Sequence, residues 1–256
     1  MEEDKTNEQP SLAIVPFSYS SPFANTKEQP SRSFDIAGNF VTLQQEWKGD
    51  GKGGTELGHG GTVYNAAFVL ANFIERFREL VEGKRVIELG TGPGLVAIAA
   101  ALLGASEVVA TDGDEGVLTL TRKNIELNVP DELKPNIKVQ HLLWGNEVKD
   151  MACPFEVILG ADIAACPYES AYDDLVASLL ELSDTNTQII LSYQHRHHSE
   201  SVFFEKLGEH FTYSEEPREH IHTDFQDSLI TVFQINHKNN HSNVECSSII
   251  YGFNNT

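Results

Sequence analysis

Residues 85–94 have the sequence RVIELGTGPG, an apolar run followed by three glycines at alternate positions. The apolar run is typical of a buried strand over 85–89. Gly90 and Gly92 allow the backbone to turn sharply and leave room for a ligand against it. The residues that follow, up to Leu103, are rich in Ala and Leu and predict a helix. Because a helix N-terminus favours negative charge such as a carboxylate, the segment predicts a ligand site at this turn.

The same alternation of strand and helix continues along the rest of the chain. A helix is predicted before the glycine turn, over 66–81, where apolar residues recur at helical spacing. Six further strands are predicted over 107–111, 137–142, 157–161, 188–193, 211–214 and 228–235, and further helices over 115–128, around 172–180 and over 201–210. This pattern implies a Rossmann-like, doubly wound α/β fold. No helix separates the last two strands, so we predict a seven-stranded, mostly parallel sheet with a C-terminal antiparallel hairpin.

The ends of the chain differ in composition from its centre. Residues 1–33 are rich in Ser, Pro, Glu, Gln and Asn, which is typical of a disordered N-terminal tail. Over 34–60 the sequence predicts a short β-hairpin, with its turn at Gly38 and Asn39, and a glycine-rich connector. Residues 61–236 are predicted to form the α/β domain, and the Asn- and Ser-rich residues 237–256 a flexible tail.

Composition excludes several classes of protein. The 256 residues include 18 Lys and Arg against 38 Asp and Glu, and the net charge of −20 disfavours nucleic acid and anionic membrane as partners. The longest apolar run, 95–103, is too short to span a bilayer. Three cysteines without paired spacing, and an acidic N-terminus without an apolar signal region, predict a reducing compartment: the cytoplasm and also the nucleus. We expect a monomer.

Two acidic residues indicate which ligand binds at the glycine turn. A dinucleotide site has the pattern G-x-G-x-x-G, but here the third glycine, Gly94, comes one residue early. Glu88 stands two residues before the first glycine, where a carboxylate suits an ammonium group better than a pyrophosphate. Asp112 ends the next strand, where an acidic side chain can accept hydrogen bonds from both ribose hydroxyls. A ribose, an amino-acid head and no pyrophosphate describe S-adenosyl-L-methionine.

Further motifs surround these residues. They are GTVYNAA at 61–67, ELGTGPG at 88–94, TD at 111–112 with TRKNIELN at 121–128, LWG at 143–145, LGAD at 159–162 and YQHR at 193–196. Together they resemble the motifs of the seven-strand, class I methyltransferases, and more narrowly those of methyltransferase family 16. The resemblance covers residues 34–236 and implies an S-adenosyl-L-methionine-dependent protein-lysine methyltransferase. Members of that family modify calmodulin, chaperones and translation elongation factors.

The residues and the resemblance together predict which side chains bind the cofactor. Asp112 is expected to accept the ribose hydroxyls and Glu88 to meet the methionine ammonium. In relatives the aromatic residue at the position of Tyr64 lies by the cofactor, and the one at the position of Trp144 flanks the adenine. Ala161 lies where a larger side chain would crowd the cofactor. The predicted cofactor-binding residues are Tyr64, Glu88, Gly90, Thr91, Gly92, Asp112, Trp144 and Ala161.

Each of these residues also has a purely structural interpretation. Asp112 could cap the following helix, although Asp114 is the better candidate for a cap. Glu88 could bond to the neighbouring amides of the turn. Tyr64 and Trp144 could be core residues.

Asp162 and Tyr168 are the predicted catalytic residues. Asp162 follows the fourth strand at the carboxyl edge of the sheet, where it could orient a lysine amine or cap a helix. It also begins the family's D-x-x-Y motif, but Ala165 stands at the tyrosine position. Tyr168 follows three residues later and is predicted to replace the missing ring; otherwise the substrate pocket is of another kind.

The predicted function is methylation of a lysine in a protein partner. Two alternatives stay open: a methyltransferase of the same fold that acts on a small molecule or another side chain, and a non-catalytic module that keeps the cofactor fold. Between Lys149 and Arg196 the chain has eight acidic residues and no Lys or Arg. This interval predicts an acidic rim that attracts a lysine-bearing protein, or an ordinary solvated helix face. The polar run at 195–198 predicts a solvated loop rather than a metal site.

Overall fold

The computed structural model describes residues 28–46, 57–146, 148, 151–165, 170–196 and 200–238. Within these ranges the strands are β1 (Ser31–Ile36), β2 (Asn39–Gln44), β3 (Arg85–Leu89), β4 (Glu107–Asp112), β5 (Ile137–His141), β6 (Val157–Ala161), β7 (Gln188–Gln194), β8 (Phe211–Glu215) and β9 (Ile230–His237). The α-helices are α1 (Asn65–Arg76), α2 (Leu95–Leu102), α3 (Glu115–Asn128), α4 (Ser170–Leu182) and α5 (Glu200–His210). None of these helices is long and apolar enough to cross a membrane.

Strands β3 to β9 form one sheet in the order β5-β4-β3-β6-β7-β9-β8. Neighbouring strands from β5 to β7 are parallel, whereas β9 is antiparallel to both β7 and β8. The predicted fold class, a doubly wound and mostly parallel sheet of seven strands with an antiparallel hairpin at its end, is confirmed. The strand order reverses between β3 and β6. Open α/β sheets bind ligands beyond the carboxyl ends of the strands at such a reversal, which places the candidate site.

The central strands are buried on both faces of the sheet. Along β6, Val157 and Leu159 belong to the core that the sheet forms with α1 and α2. Ile158, between them, belongs to the core on the opposite face, which includes α4 and α5. A parallel strand covered on both faces needs a continuous apolar run, and this explains why β3 and β6 lie at the predicted residues.

The first helix is shorter than predicted. α1 ends at Arg76, and residues 78–80 form a separate 3-10 turn. Phe77 leaves the helical region with φ −116° and ψ 60°, and its ring packs edge-on against His220 at a centroid distance of 4.9 Å. This contact with the segment between β8 and β9 overrides the helical periodicity that extends to residue 81.

The N-terminal hairpin begins and turns earlier than predicted. β1 begins at Ser31, inside the segment predicted as a tail, and the two turn residues are Ala37 and Gly38 rather than Gly38 and Asn39. Both turn residues have positive φ, +53° and +73°, as a two-residue type I′ turn requires. This register points four apolar side chains of the hairpin into the core and leaves Phe40 exposed; a slip of one residue would reverse the burial of these four. These side chains are Phe34, Ile36, Val41 and Leu43.

Two asparagines of α3 attach the hairpin to this helix and, through Pro93, to the glycine turn. The buried Asn124 accepts a hydrogen bond from Gln44 N at 2.8 Å, and donates to Gln44 O at 3.1 Å and to Pro93 O at 2.9 Å. Asn128 makes a similar pair with Thr42, accepting from its N at 2.7 Å and donating to its O at 3.0 Å. The hairpin also shares its apolar core with α1 and α2. The division into domains at residue 60 stays a prediction.

We expect Asn124→Ala to lower the free energy of unfolding by about 2–4 kcal/mol, because it leaves backbone groups of Gln44 and Pro93 without partners. Unfolding in urea measures the change. Lys123→Ala, at an exposed position of the same helix, is the matched control and should change stability by less than about 0.5 kcal/mol. Equal effects of the two substitutions would contradict the expectation.

Candidate active site

A cavity of about 550 Å³ lies at the carboxyl ends of β3, β4 and β6, where the strand order reverses. Its volume falls within the range of small-molecule sites, roughly 300–1,000 Å³. Among the residues that line it are Tyr64, Glu88, Gly90, Thr91, Gly92, Asp112, Trp144, Ala161 and Asp162. The structure therefore brings together every predicted site residue that it describes. Tyr168 lies outside the described residues.

The glycine turn between β3 and α2 forms one wall of the cavity. Gly90 and Gly92 have φ values of +66° and +52°, which residues with a side chain seldom adopt. A Cβ atom on Gly90 would also lie 2.8 Å from Cγ2 of Ile163. Thr91 N donates to Thr111 O at 2.8 Å and ties the turn to the end of β4. The backbone of the turn is therefore fixed and open to a ligand.

Glu88 is buried between the turn and the cavity. Its Oε2 accepts hydrogen bonds from Thr91 Oγ1 at 2.6 Å and from Ala97 N at 2.9 Å, so the carboxylate ties β3 to the first turn of α2. Burial raises the pKa of Glu88 to about 8; the two hydrogen bonds oppose this shift, and the charge of Asp112 adds to it. Because Glu88 also lines the cavity, a cation placed there would favour its ionised form.

Asp112 ends β4 and faces the glycine turn. Its Oδ2 accepts a hydrogen bond from Gly92 N and its Oδ1 one from Asp114 N, both at 3.2 Å. Burial raises the pKa of Asp112, against the lowering effect of these bonds. The cap of α3 is Asp114, which accepts from Gly116 N at 2.7 Å and Val117 N at 3.1 Å. Asp112 is thus left in the cavity wall, while the neighbouring aspartate caps the helix as the sequence indicates.

Apolar side chains form part of the remaining wall. Trp144 follows β5, packs against the core next to α4 and also lines the cavity, so it is both a core residue and a wall. Gly145 N donates to Ser178 Oγ on α4 at 2.9 Å, which holds the chain beside Trp144. Ala161, the last residue of β6, presents only a methyl group to the cavity. A larger side chain there would reduce the space for a ligand.

Asp162 is held by an ion pair. Arg196 Nη2 contacts its Oδ2 at 2.5 Å and Nη1 contacts its Oδ1 at 2.9 Å, and Gln194 N donates to Oδ1 at 3.0 Å. The side chain of Asp162 is only 7% exposed and that of Arg196 34%. The carboxylate therefore binds the end of β7, and both members of the pair line the cavity.

The sequence did not identify Arg196 or His59 as site residues. Arg196 belongs to the run 195–198 that predicts a solvated loop, yet it lines the cavity. The sequence could have identified Arg196 as a site residue, because Asp162 and Arg196 follow two strands and the carboxyl ends of neighbouring parallel strands lie side by side. His59 lies in the glycine-rich connector, which carries no such signal; its Nδ1 lies 3.1 Å from the hydroxyl of Tyr64. Burial, and next the charge of Asp162, raise the pKa of Tyr64.

The acidic residues of the predicted rim are dispersed in space. Glu156 and Asp184 line a groove at the amino ends of β6 and β7, at the opposite edge of the sheet from the cavity. On α4, Asp173 forms an ion pair with Lys206 of α5 at 2.6 Å. Two further members, Asp150 and Glu169, lie outside the described residues. The rim stays a prediction: Asp162 lies in the cavity wall, and the remaining described members, Asp173, Asp174 and Glu181, lie on α4.

Three features define the class I methyltransferase fold. They are the strand order of the sheet, the glycine turn after β3 and the acidic residue at the end of β4. Solved structures with this fold include the Thermus thermophilus 16S rRNA N2 G1207 methyltransferase in complex with AdoMet and guanosine, with a TM-score of 0.55 and 17% identity over 81% of this chain and 50% of that one. A putative SAM-dependent methyltransferase from Streptococcus mutans has a TM-score of 0.51 and 18% identity over 81% and 55%. At these identities the likeness establishes the fold.

Sequence comparison establishes the family. The profile described as lysine methyltransferase matches residues 50–210. The protein N-lysine methyltransferase METTL21A of Mus musculus is 32% identical over 82% of this chain and 94% of its own length, and that of Danio rerio is 33% identical over 90% and 99%. The chain belongs to the lysine methyltransferase family. The predicted enzyme class, an S-adenosyl-L-methionine-dependent methyltransferase, and its cofactor are confirmed.

The carboxyl group of Glu88 predicts a pH dependence of stability. Its pKa of about 8 in the folded protein lies above the ordinary 4.5, so between these values the folded protein keeps a proton that the unfolded chain releases. Its contribution to stability is therefore greatest below pH 4.5 and declines as the pH rises to about 8. Glu88→Gln keeps an acceptor for Thr91 and Ala97 but cannot ionise. We expect this variant to gain stability relative to the parent protein as the pH rises, by at most about 5 kcal/mol.

Unfolding in urea between about pH 5 and pH 9 measures this difference. Glu132→Gln, at an exposed position, is the control and should follow the parent protein. Parallel stability curves for Glu88→Gln and the parent would show that burial does not shift this group.

Proposed function

We propose that this protein transfers the methyl group of S-adenosyl-L-methionine to the side-chain amine of a lysine in a protein partner. The observation that carries the proposal is that Glu88, Asp112 and Asp162 line one cavity at the reversal of the strand order. The first two suit an amino-acid head and a ribose, and the third offers a carboxylate at the neighbouring strand end. The names of the relatives, which are N-lysine methyltransferases, support the same substrate class here.

The lining of the cavity fits the proposed cofactor. The carboxylates of Glu88 and Asp112 are the acceptors that an ammonium and ribose hydroxyls require, and burial raises the pKa of both. A ligand that donates to them would favour their ionised forms. Leu142, Trp144 and Val117 supply apolar surface for an adenine ring. We assign the remaining predicted contacts to the wall formed by Tyr64, Gly90, Thr91, Gly92 and Ala161.

The protein has to align the amine and exclude water. When bound, S-adenosyl-L-methionine supplies a methyl group on a sulfonium, and transfer of this group to an amine leaves a neutral thioether. A lysine amine, with an ordinary pKa of about 10.4, must first lose its proton. We assign alignment of the amine to Asp162, with Tyr64 as an aromatic wall of the cavity and Tyr168 as the second catalytic residue. Alignment and desolvation of this kind supply much of the rate enhancement when the donor is already activated.

Two finer points extend the proposal. The acidic face of α4, where Asp174 and Glu181 stand beside the Asp173–Lys206 ion pair, would attract a cationic segment of the partner protein. The protein would act as a monomer, and its three cysteines without paired spacing support a reducing compartment, the cytoplasm and the nucleus.

Asp112→Ala should weaken the binding of S-adenosylhomocysteine by about 1–3 kcal/mol, the range for a hydrogen-bonding group left without its partner. Isothermal titration calorimetry measures the affinity. Asp112→Asn keeps the shape of the side chain and separates loss of charge from loss of packing. Asp131→Ala, at an exposed position, is the control and should bind with parental affinity. Parental affinity in Asp112→Ala would assign the ribose to another residue.

Product analysis tests the substrate class. The protein is incubated with methyl-labelled S-adenosyl-L-methionine and with the macromolecules or the small molecules of a cell extract, separated by ultrafiltration. We expect label in the macromolecules, recovered as N-methyllysine after hydrolysis. Label confined to small molecules or to another amino acid would refute the proposed substrate. Binding of the cofactor product without any transfer would indicate a non-catalytic module.

A further inference from the structure

Asp162 and Arg196 form a two-point ion pair in the wall of the cavity. Both carboxylate oxygens contact the guanidinium, at 2.5 and 2.9 Å, and Gln194 N adds a third hydrogen bond at 3.0 Å. Only 7% of the aspartate side chain is exposed, so the pair is largely shielded from water on the carboxylate side. Two parallel contacts of this kind fix the orientation of both groups as well as their charge.

The backbone of Asp162 has a positive φ at the wall of the cavity. Its φ of +63° lies in the left-handed region, which costs a residue with a side chain about 1–3 kcal/mol. Asp162 N donates to Ser192 O at 2.7 Å, which holds the residue against β7, the strand that leads to Arg196. Strain retained at a cavity wall indicates a functional constraint on the position of the side chain.

A carboxylate without a partner would favour the wrong protonation state of a lysine substrate. An opposite charge within about 4–6 Å stabilises an ammonium and raises its pKa. An ammonium has no lone pair with which to attack a methyl group. A carboxylate paired with a guanidinium exerts a much weaker field on a third group, because the two charges largely cancel. Because arginine does not lose its proton in proteins, the guanidinium keeps the positive charge that offsets the carboxylate.

We propose that Arg196 is a positioning residue that compensates the charge of Asp162, so that the cavity accepts the substrate amine in its neutral form. This inference rests on the proposed function. The proton of the amine passes to water before the nitrogen lone pair forms the new bond to carbon, and the Asp162–Arg196 pair takes up no proton. The competing arrangement, in which a substrate ammonium displaces Arg196 from Asp162, predicts a different outcome in the experiment below.

Other ionisable side chains line the same cavity and must be separated from this effect. They are Tyr64, whose ring centroid lies 5.9 Å from Cζ of Arg196, His59 beside it, Glu88 near the end of β3, and Asp112 and Asp114 at and after the end of β4. A histidine is the side chain most apt to titrate near neutral pH. Each variant is therefore also made with His59→Gln, and the shifts described below should persist in that background.

The test is the pH dependence of kcat for N-methyllysine formation in the macromolecules of an extract, at saturating S-adenosyl-L-methionine. In Arg196→Gln the uncompensated carboxylate should move the rising limb of the profile up by about one pH unit. In Asp162→Asn the uncompensated guanidinium should move it down by about one pH unit. The double variant should return to the parental position. A purely structural role would lower the rate in all three variants without opposite shifts.

Control measurements keep these outcomes distinct. Arg122→Gln, which removes an exposed arginine paired with Glu115 on α3, should leave the profile unchanged. Parental affinity for S-adenosylhomocysteine verifies that each variant is folded. Unshifted profiles, or shifts in the same direction, overturn the inference. A faster reaction of Arg196→Gln at every pH, with a lower KM, also overturns it, since displacement of Arg196 predicts this. Absence of N-methyllysine with the parent enzyme overturns the proposed function instead.

A second measurement does not depend on turnover. The n-butylammonium ion serves as a probe for the lysine side chain, and its binding to the protein loaded with S-adenosylhomocysteine is followed by NMR at neutral pH. We expect Arg196→Gln to bind it about tenfold more tightly than the parent protein, and Asp162→Asn to bind it no more tightly, because only the former has an uncompensated carboxylate. Equal affinities of Arg196→Gln and the parent protein would overturn the inference.

Discussion

The structure of the site depends on the carboxyl group of Glu88. It accepts hydrogen bonds from Thr91 Oγ1 and Ala97 N, one on each side of the bend, and so fixes the angle at which α2 leaves β3. The pKa of this carboxyl group is raised to about 8 because the side chain itself is buried. A defined backbone and a buried carboxyl group facing the cavity thus meet at one side chain.

After Glu88, hydrogen bonds hold each residue of the turn from 91 to 93 in place. Thr91 N donates to Thr111 O at 2.8 Å, Gly92 N to Asp112 Oδ2 at 3.2 Å, and Gly92 O accepts from Thr121 Oγ1 at 2.7 Å. The next residue, Pro93, accepts from Asn124. Hydrogen bonds with residues of β4 and α3 therefore position the turn as much as its connection to β3 does. The side chain of Asn124 also forms hydrogen bonds with the backbone N and O of Gln44, and so links the turn to the N-terminal hairpin.

Much of this could be predicted from the sequence, because buried parallel strands are short apolar runs and α/β sites lie where such strands end. For that reason Glu88, Asp112 and Asp162 could be identified as site residues from the sequence. The rest depends on contacts that no local pattern records. The turn of the hairpin is set by the apolar side chains that must face the core, which outweigh the Gly38–Asn39 signal. The end of α1 depends on His220, far along the chain, and the role of Arg196 on the adjacency of β6 and β7.

The attachment of the hairpin bears on what counts as the folding unit. The family profile begins at residue 50 and ends at 210, so it includes β3 to β7 but neither the hairpin nor β8 and β9. A chain trimmed to that match would leave the amides of Asn124 and Asn128 without the strand they bind, and β7 without its neighbour β9. The segment that the family profile matches is therefore smaller than the unit held together by these contacts. The profile covers the strands that line the cavity, whereas packing and hydrogen bonds extend to the pieces that cover their edges.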